Sequence, residues 1–263
     1  MTDRGDTRVI DLSVEVPGSP EEVWKTISTG PGITSWYVPH QVEERPGGTV
    51  RMDFGPAYGE HTAEVAVWEP PRRVVFAGSG ETEMAFEWLV TDRHDGTCGV
   101  RLVNSGFAQG EEGDAELDAM RSGWSIFLEN LRLHLTHFRG RRAHAVIPTV
   151  MTTGPHDSGF SRLCAALGIP DDLRDGARVV TSGEGVPALA GTLDRVLETG
   201  STRTYLVLLD SPTPGTAFLT AEGWGDLVSL SAYLYLYGPA PEGFPDRWST
   251  YLAEQFPPEA PAP

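Results

Sequence analysis

The stretch from Ala115 to Phe138 constrains the fold more than any other. Leu117, Met120, Trp124, Phe127, Leu128, Leu131, Leu135 and Phe138 recur there at the i, i+3, i+4, i+7 spacing of one helical face. The spacing predicts one long amphipathic helix over 115–138, and such a helix must be covered by a broad apolar surface. The segments before it offer one. Apolar residues alternate from Arg8 to Val16, and strands are predicted near 40–45, 48–54, 61–68, 72–77, 83–91 and 97–103, each closed by turn residues. In the last hairpin, which turns at Asp95-Gly96, Met84, Phe86, Trp88 and Val90 share one face. Glu87 is expected to point away from them and to pair with Arg101 across the sheet. After the first strand, Ser19, Pro20, Glu21 and Glu22 have the order of a helix start. That helix presents Val23, Trp24 and Ile27 and stops at Gly30-Pro31-Gly32, before a helical turn carrying Ile33, Trp36 and Tyr37.

Arg139-Gly140-Arg141-Arg142 ends the long helix with cations at its negative pole and reads as a domain boundary. The order of elements then begins again. A strand is predicted in Ala143–Val150 and a helix over Ser158–Leu167, closed by Gly168. Strands at 187–198, 203–210, 216–222 and 226–237 follow, then a short helix at 245–256. This gives an α+β lobe over 8–140 and a second α+β lobe over 141–256, with disordered tails at 1–7 and 257–263. Tyr233, Tyr235 and Tyr237 alternate with Leu234 and Leu236, a stripe that suits an interface between lobes or subunits, or ordinary packing.

A chain of 263 residues with 40% hydrophobic content buries a core without staples. Its formal net charge of −17 argues against nucleic acid or an anionic membrane as a partner. Cys98 and Cys164 lie far apart, which excludes a zinc ribbon and a CxxC redox pair and leaves two buried thiols. Lys25 is the only lysine, so no phosphate-binding GxxxxGK[ST] loop exists, and HExxH, GxSxG and GxGxxG are also missing. No segment has the roughly 20 apolar residues of a membrane span. The N-terminus lacks a signal-like apolar run, so a cytoplasmic protein is expected.

Several motifs of the first lobe resemble the START-like helix-grip (SRPBCC) superfamily and, within it, the family named after the activator of Hsp90 ATPase homologue. They are Ser19-Pro20-Glu21-Glu22-Val23-Trp24, Gly32-Ile33-Thr34-Ser35-Trp36-Tyr37, Gly47-Gly48-Thr49-Val50-Arg51-Met52, Trp68-Glu69-Pro70-Pro71-Arg72-Arg73-Val74-Val75-Phe76, and the closing helix with Gly123-Trp124. The resemblance covers about residues 8–139. It implies a curved antiparallel sheet gripping the long C-terminal helix, with an apolar cavity between them. The second lobe matches no family by motif, and its element order is that of a degenerate helix-grip repeat or of an unrelated α+β domain.

The reading that follows is binding of a small apolar molecule in the first lobe, without chemistry of its own. Trp36, Tyr37, Phe86, Trp88, Trp124 and Phe127 are the candidate walls, with Tyr58 and His61 as candidate polar contacts. No catalytic residue, metal ligand or cofactor is assigned. His134 and His137 stand i, i+3 on the helix with no thiol or carboxylate a turn away to complete a metal site. A polyketide cyclase/dehydratase-like enzyme and a chaperone-associated interaction module are the alternatives. Sequence supplies no buried acid–base pair for the first, and no basic recognition surface for the second.

Overall fold

The computed structural model describes residues 8–55, 58–78, 84–107, 110–199, 202–224 and 227–257. The chain divides into two compact units. The first runs to Arg142 without Phe54–Gly59, and the second joins Phe54–Gly59 to the chain from Ala143 onward. Apart from Pro257, the tails expected to be disordered lie outside the described residues.

The first unit comprises β1 (Val9–Pro17), α1 (Pro20–Ser28), α2 (Gly30–Thr34), β2 (His40–Val42), β3 (Thr49–Asp53), β4 (Glu60–Glu69), β5 (Arg73–Gly78), β6 (Ala85–Asp92), β7 (Thr97–Ser105) and α3 (Glu111–His137). Its strands form one antiparallel sheet in the order β1-β7-β6-β5-β4-β3-β2, so the first strand closes against the last. The local signals in the sequence explain the termini. Ser19 Oγ accepts from the Glu22 amide at 3.3 Å while Glu22 Oε2 accepts from the Ser19 amide at 2.9 Å, a reciprocal cap that starts α1 at Pro20. Gly30-Pro31-Gly32, expected as a break, is instead the first turn of α2, because the Thr29 hydroxyl caps the Gly32 amide at 3.1 Å. Gly32 is required there: a Cβ would stand 2.1 Å from the Lys25 carbonyl oxygen.

α3 begins at Glu111, ahead of the predicted 115, and lies against β1. Its burial is also wider than one stripe. Ile126 and Leu133, outside the apolar repeat, are buried along with Trp124, Leu128, Leu131 and Leu135. The C-terminal half of α3 is thus enclosed around most of its circumference, and a helix enclosed in that way carries apolar residues on more than one face.

The second unit comprises β8 (His144–Val146), β9 (Thr149–Thr153), α4 (His156–Leu167), β10 (Arg178–Val180), β11 (Ala190–Thr199), β12 (Thr202–Ser211), β13 (Gly215–Trp224), β14 (Leu227–Leu236) and α5 (Phe244–Gln255). Its sheet order is β10-β11-β12-β13-β14, with β8 and β9 both on β14. The first strand again pairs with the last and the others follow in descending order. This is the helix-grip order of the first unit with a closing helix of 12 residues in place of 27. α4 and α5 share one core against the sheet, in which Leu163, Leu193, Val207, Leu219, Leu230, Trp248 and Leu252 are fully buried. The single strand expected over 143–150 is two short strands, because Pro148 has no amide to donate to the ladder. β10, three residues long, has no sequence signal of its own.

An aromatic cluster under the closing helix of the first unit

Three elements bring six aromatic rings together. The residues after α2 supply Trp36 and Tyr37, β6 supplies Phe86 and Trp88 at alternate positions, and α3 supplies Trp124 and Phe127 one turn apart. Trp124 is the hub. Its ring lies 4.7 Å from Tyr37, 5.7 Å from Phe86, 5.4 Å from Trp88 and 6.2 Å from Phe127, centroid to centroid. Tyr37 meets Phe127 edge-on at 4.5 Å, and Trp36 meets Trp88 edge-on at 5.5 Å. These are attractive offset and T-shaped geometries. Hydrogen bonds position the inner end: Asn130 Nδ2 of α3 donates to the Trp36 carbonyl at 2.8 Å, and Trp36 Nε1 donates to the Thr26 carbonyl at 3.0 Å. The six candidate walls therefore form one connected set of ring contacts centred on Trp124. Four of the rings are buried, while Phe86 and Phe127 are half-buried and form the side that solvent reaches.

Tyr58 and His61 are not placed as expected. The Tyr58 hydroxyl belongs to the second unit, where it donates to Ser229 Oγ at 3.2 Å, because the β3–β4 connection groups with that unit. His61 lies exposed on β4, opposite Met52. The expected Glu87–Arg101 pair is also replaced. The register sets Arg101 against Leu89 and Ser13, so its guanidinium binds Asp11 on β1 at 2.5 and 2.8 Å, while Glu87 accepts from Arg73 Nε at 2.5 Å.

Two polar atoms within this region have no hydrogen-bond partner among the described residues: Trp124 Nε1 and Asn104 Oδ1. Asn104 on β7 is fully buried and is the ladder partner of Phe86. Its Nδ2 donates to the Ala85 carbonyl at 3.2 Å, which fixes the amide orientation and leaves the oxygen as the orphan. Trp124, whose ring packs on Phe86, thus carries an unused donor, and Asn104, the ladder partner of Phe86, an unused acceptor. Asn104 was missed in the sequence, although it continues the inward-facing series Cys98, Val100, Leu102 at the strand period.

The ionisable groups of the core are held neutral. Burial pushes the Tyr37 phenol far above its ordinary range. Burial lowers His40 to about 4, against the opposing effect of the 2.8 Å contact between its Nδ1 and the Val38 carbonyl. His134, also buried, is lowered to about 4 for the same reason, whereas His137 is exposed. Among the described residues no three His, Cys, Asp or Glu side chains gather into a metal-binding group, and no helix is long and apolar enough to cross a membrane. Both cysteines are buried and unpaired with each other.

The first-to-last strand closure, the gripped helix and the aromatic core beneath it define the first unit as a helix-grip domain. The model of the family described as Activator of Hsp90 ATPase homolog 1-like protein matches residues 17–136. The match spans less than half of the chain and leaves the residues from Ala143 onward outside it. Among solved structures, the Aha1 dimer from Colwellia psychrerythraea is 18% identical, with 50% of this chain and 98% of that chain covered at a TM-score of 0.44. DynU16, from the dynemicin biosynthetic locus, is also 18% identical, with 95% and 96% covered at a TM-score of 0.44. The di-domain ARO/CYC BexL of the BE-7585A biosynthetic pathway is 16% identical, with 88% and 85% covered at a TM-score of 0.46. No curated protein matches the sequence.

Proposed function

We propose that the first unit binds a small, largely apolar molecule carrying one hydroxyl group, seated beside Phe86 between α3 and the sheet. The observation that carries this reading is the pair of orphaned atoms, Trp124 Nε1 and Asn104 Oδ1, on the two residues that neighbour Phe86 from the helix and from the sheet. A buried polar group without a partner costs about 1–3 kcal/mol, and a ligand that supplies the partner recovers it. One hydroxyl does both tasks, accepting from the indole and donating to the amide oxygen. Half-buried Phe86 and Phe127 give the entry side, and the rest of the molecule would lie on apolar rings. Tyr37, His40 and His134 are buried in neutral form and bring no charge to the site.

The test is calorimetric titration with 2-naphthol and with naphthalene. 2-Naphthol is expected to bind several-fold to about tenfold more tightly, the worth of one or two hydrogen bonds. Its binding should show a negative heat-capacity change and little dependence on salt. Trp124→Phe and Asn104→Leu should each reduce that preference while leaving naphthalene binding nearly unchanged. Equal affinity for the two probes, or a preference that survives both substitutions, overturns the reading.

A further inference from the structure

Among its described residues, the second unit holds a carboxyl group without a counter-charge, on the face of its sheet opposite α4 and α5. Glu222 on β13 is the ladder partner of Ser229 on β14, so the two side chains stand together on one face. Ser229 faces its β9 ladder partner Met151 and is joined to a run of hydroxyls on that face. Tyr58 donates to Ser229 Oγ at 3.2 Å, Ser229 and Ser231 are linked at 3.4 Å, and Ser231 is linked to Thr149 at 2.9 Å. The Tyr58 hydroxyl also lies 3.7 Å from the Met151 thioether. Among the described residues the Glu222 carboxyl has no hydrogen bond and no ion pair. Desolvation holds it above the usual carboxylate range, and the Tyr58 phenol is raised by burial, against the lowering effect of its bond to Ser229, with a smaller raise from the charge of Glu222. The group remains within reach of solvent: Glu222 is half-buried, and Tyr58 is 38% exposed.

We propose that Glu222, Ser229 and Tyr58 form a second binding site, for a small organic amine with an apolar substituent. A desolvated carboxylate is costly until a cation or a proton neutralises it, and no arginine or lysine among the described residues of the unit does so. An ammonium group carries three donors and no acceptor, which matches one carboxylate flanked by hydroxyl oxygens. The Tyr58 ring and the Met151 sulfur provide polarisable surface for a cation and its substituent. An anion is repelled by Glu222, and a neutral alcohol satisfies the hydroxyls but leaves the charge uncompensated. The formal net charge of −17 also favours the approach of a cation.

The full chain is titrated by calorimetry at neutral pH with benzylamine and with benzyl alcohol, its neutral counterpart. Benzylamine is expected to bind at least about tenfold more tightly. Glu222→Gln keeps the shape and removes the charge, and should lower benzylamine to the level of benzyl alcohol. Tyr58→Phe should weaken it several-fold. Equal binding of the two probes to the unaltered protein, no benzylamine binding at all, or undiminished binding by a Glu222→Gln chain of native circular dichroism overturns the proposal. The first comparison requires no variant, so it stands even if the substituted chain misfolds.

Discussion

Replacing Trp124 by alanine removes a side chain that is 3% exposed and touches four other rings. Chemical denaturation should show a loss of about 3–5 kcal/mol, the range for buried aromatic truncations. A loss under about 1 kcal/mol would mean that the ring is not part of the core. Asn104→Leu tests the other half of the pair by a different logic. It removes a buried acceptor that nothing satisfies and replaces it by an apolar group of similar size, a change that is often neutral or stabilising. The free protein should therefore stay within about 1 kcal/mol of the original, even as the preference for 2-naphthol is lost. A large destabilisation would instead make the Nδ2 bond to the Ala85 carbonyl the reason for an asparagine at this position.

Two helix ends test how far local chemistry governs the elements. Ser19→Ala breaks the reciprocal cap of α1 and should cost about 0.5–2 kcal/mol in urea denaturation. Gly168 closes α4 in the left-handed region at φ 63°, where its amide reaches back to Ala165 and Cys164 carbonyls. The left-handed conformation alone penalises alanine by about 1–2 kcal/mol. Its Cβ would also meet the Ser182 carbonyl oxygen at 2.0 Å, and that backbone must move to admit it. Gly168→Ala is therefore expected to destabilise by more than the conformational penalty, and a loss below about 1 kcal/mol would show that the β10–β11 connection carrying Ser182 yields freely. These ends were legible because caps and glycine stops act within a few residues of chain. β10 was not, since three residues that pair only with Thr192, Gly191 and Ala190 leave no period to detect.

At the scale of the whole molecule, the buried histidines set the response to acid. His40 and His134 have folded values of about 4, against about 6.5 for histidine in an unfolded chain. Between those values the unfolded chain binds up to two protons that the folded chain refuses. Stability is therefore full above about pH 6.5 and falls as pH drops through this window, by at most about 2.7 kcal/mol per pH unit. Below about pH 4 this source adds no further loss. Urea denaturation across the window should show the slope, and His134→Leu should reduce it by about half. A stability independent of pH there would mean that both rings are protonated in the folded state.

By itself, the sequence determined the elements whose cause is local. The 3.6-residue period of α3, the alternation of the long strands, the Ser19 cap and the Gly168 stop could all be read within short windows. The repeated order of strands and helices was also visible, and the closure of each first strand on its last makes that order a fold. Only the tertiary structure decided which side chains meet. Arg101 binds Asp11 and not Glu87 because pairing depends on the register of the whole β1–β7–β6 ladder, which no short window contains. Tyr58 finds Ser229 at a separation of 171 residues, and Asn104 is left with a free acceptor only because Phe86 and Trp124 come beside it from other elements. A residue's identity supplies its capacity to bond, and the partner that uses it, or the absence of one, arises from packing between elements far apart in the chain.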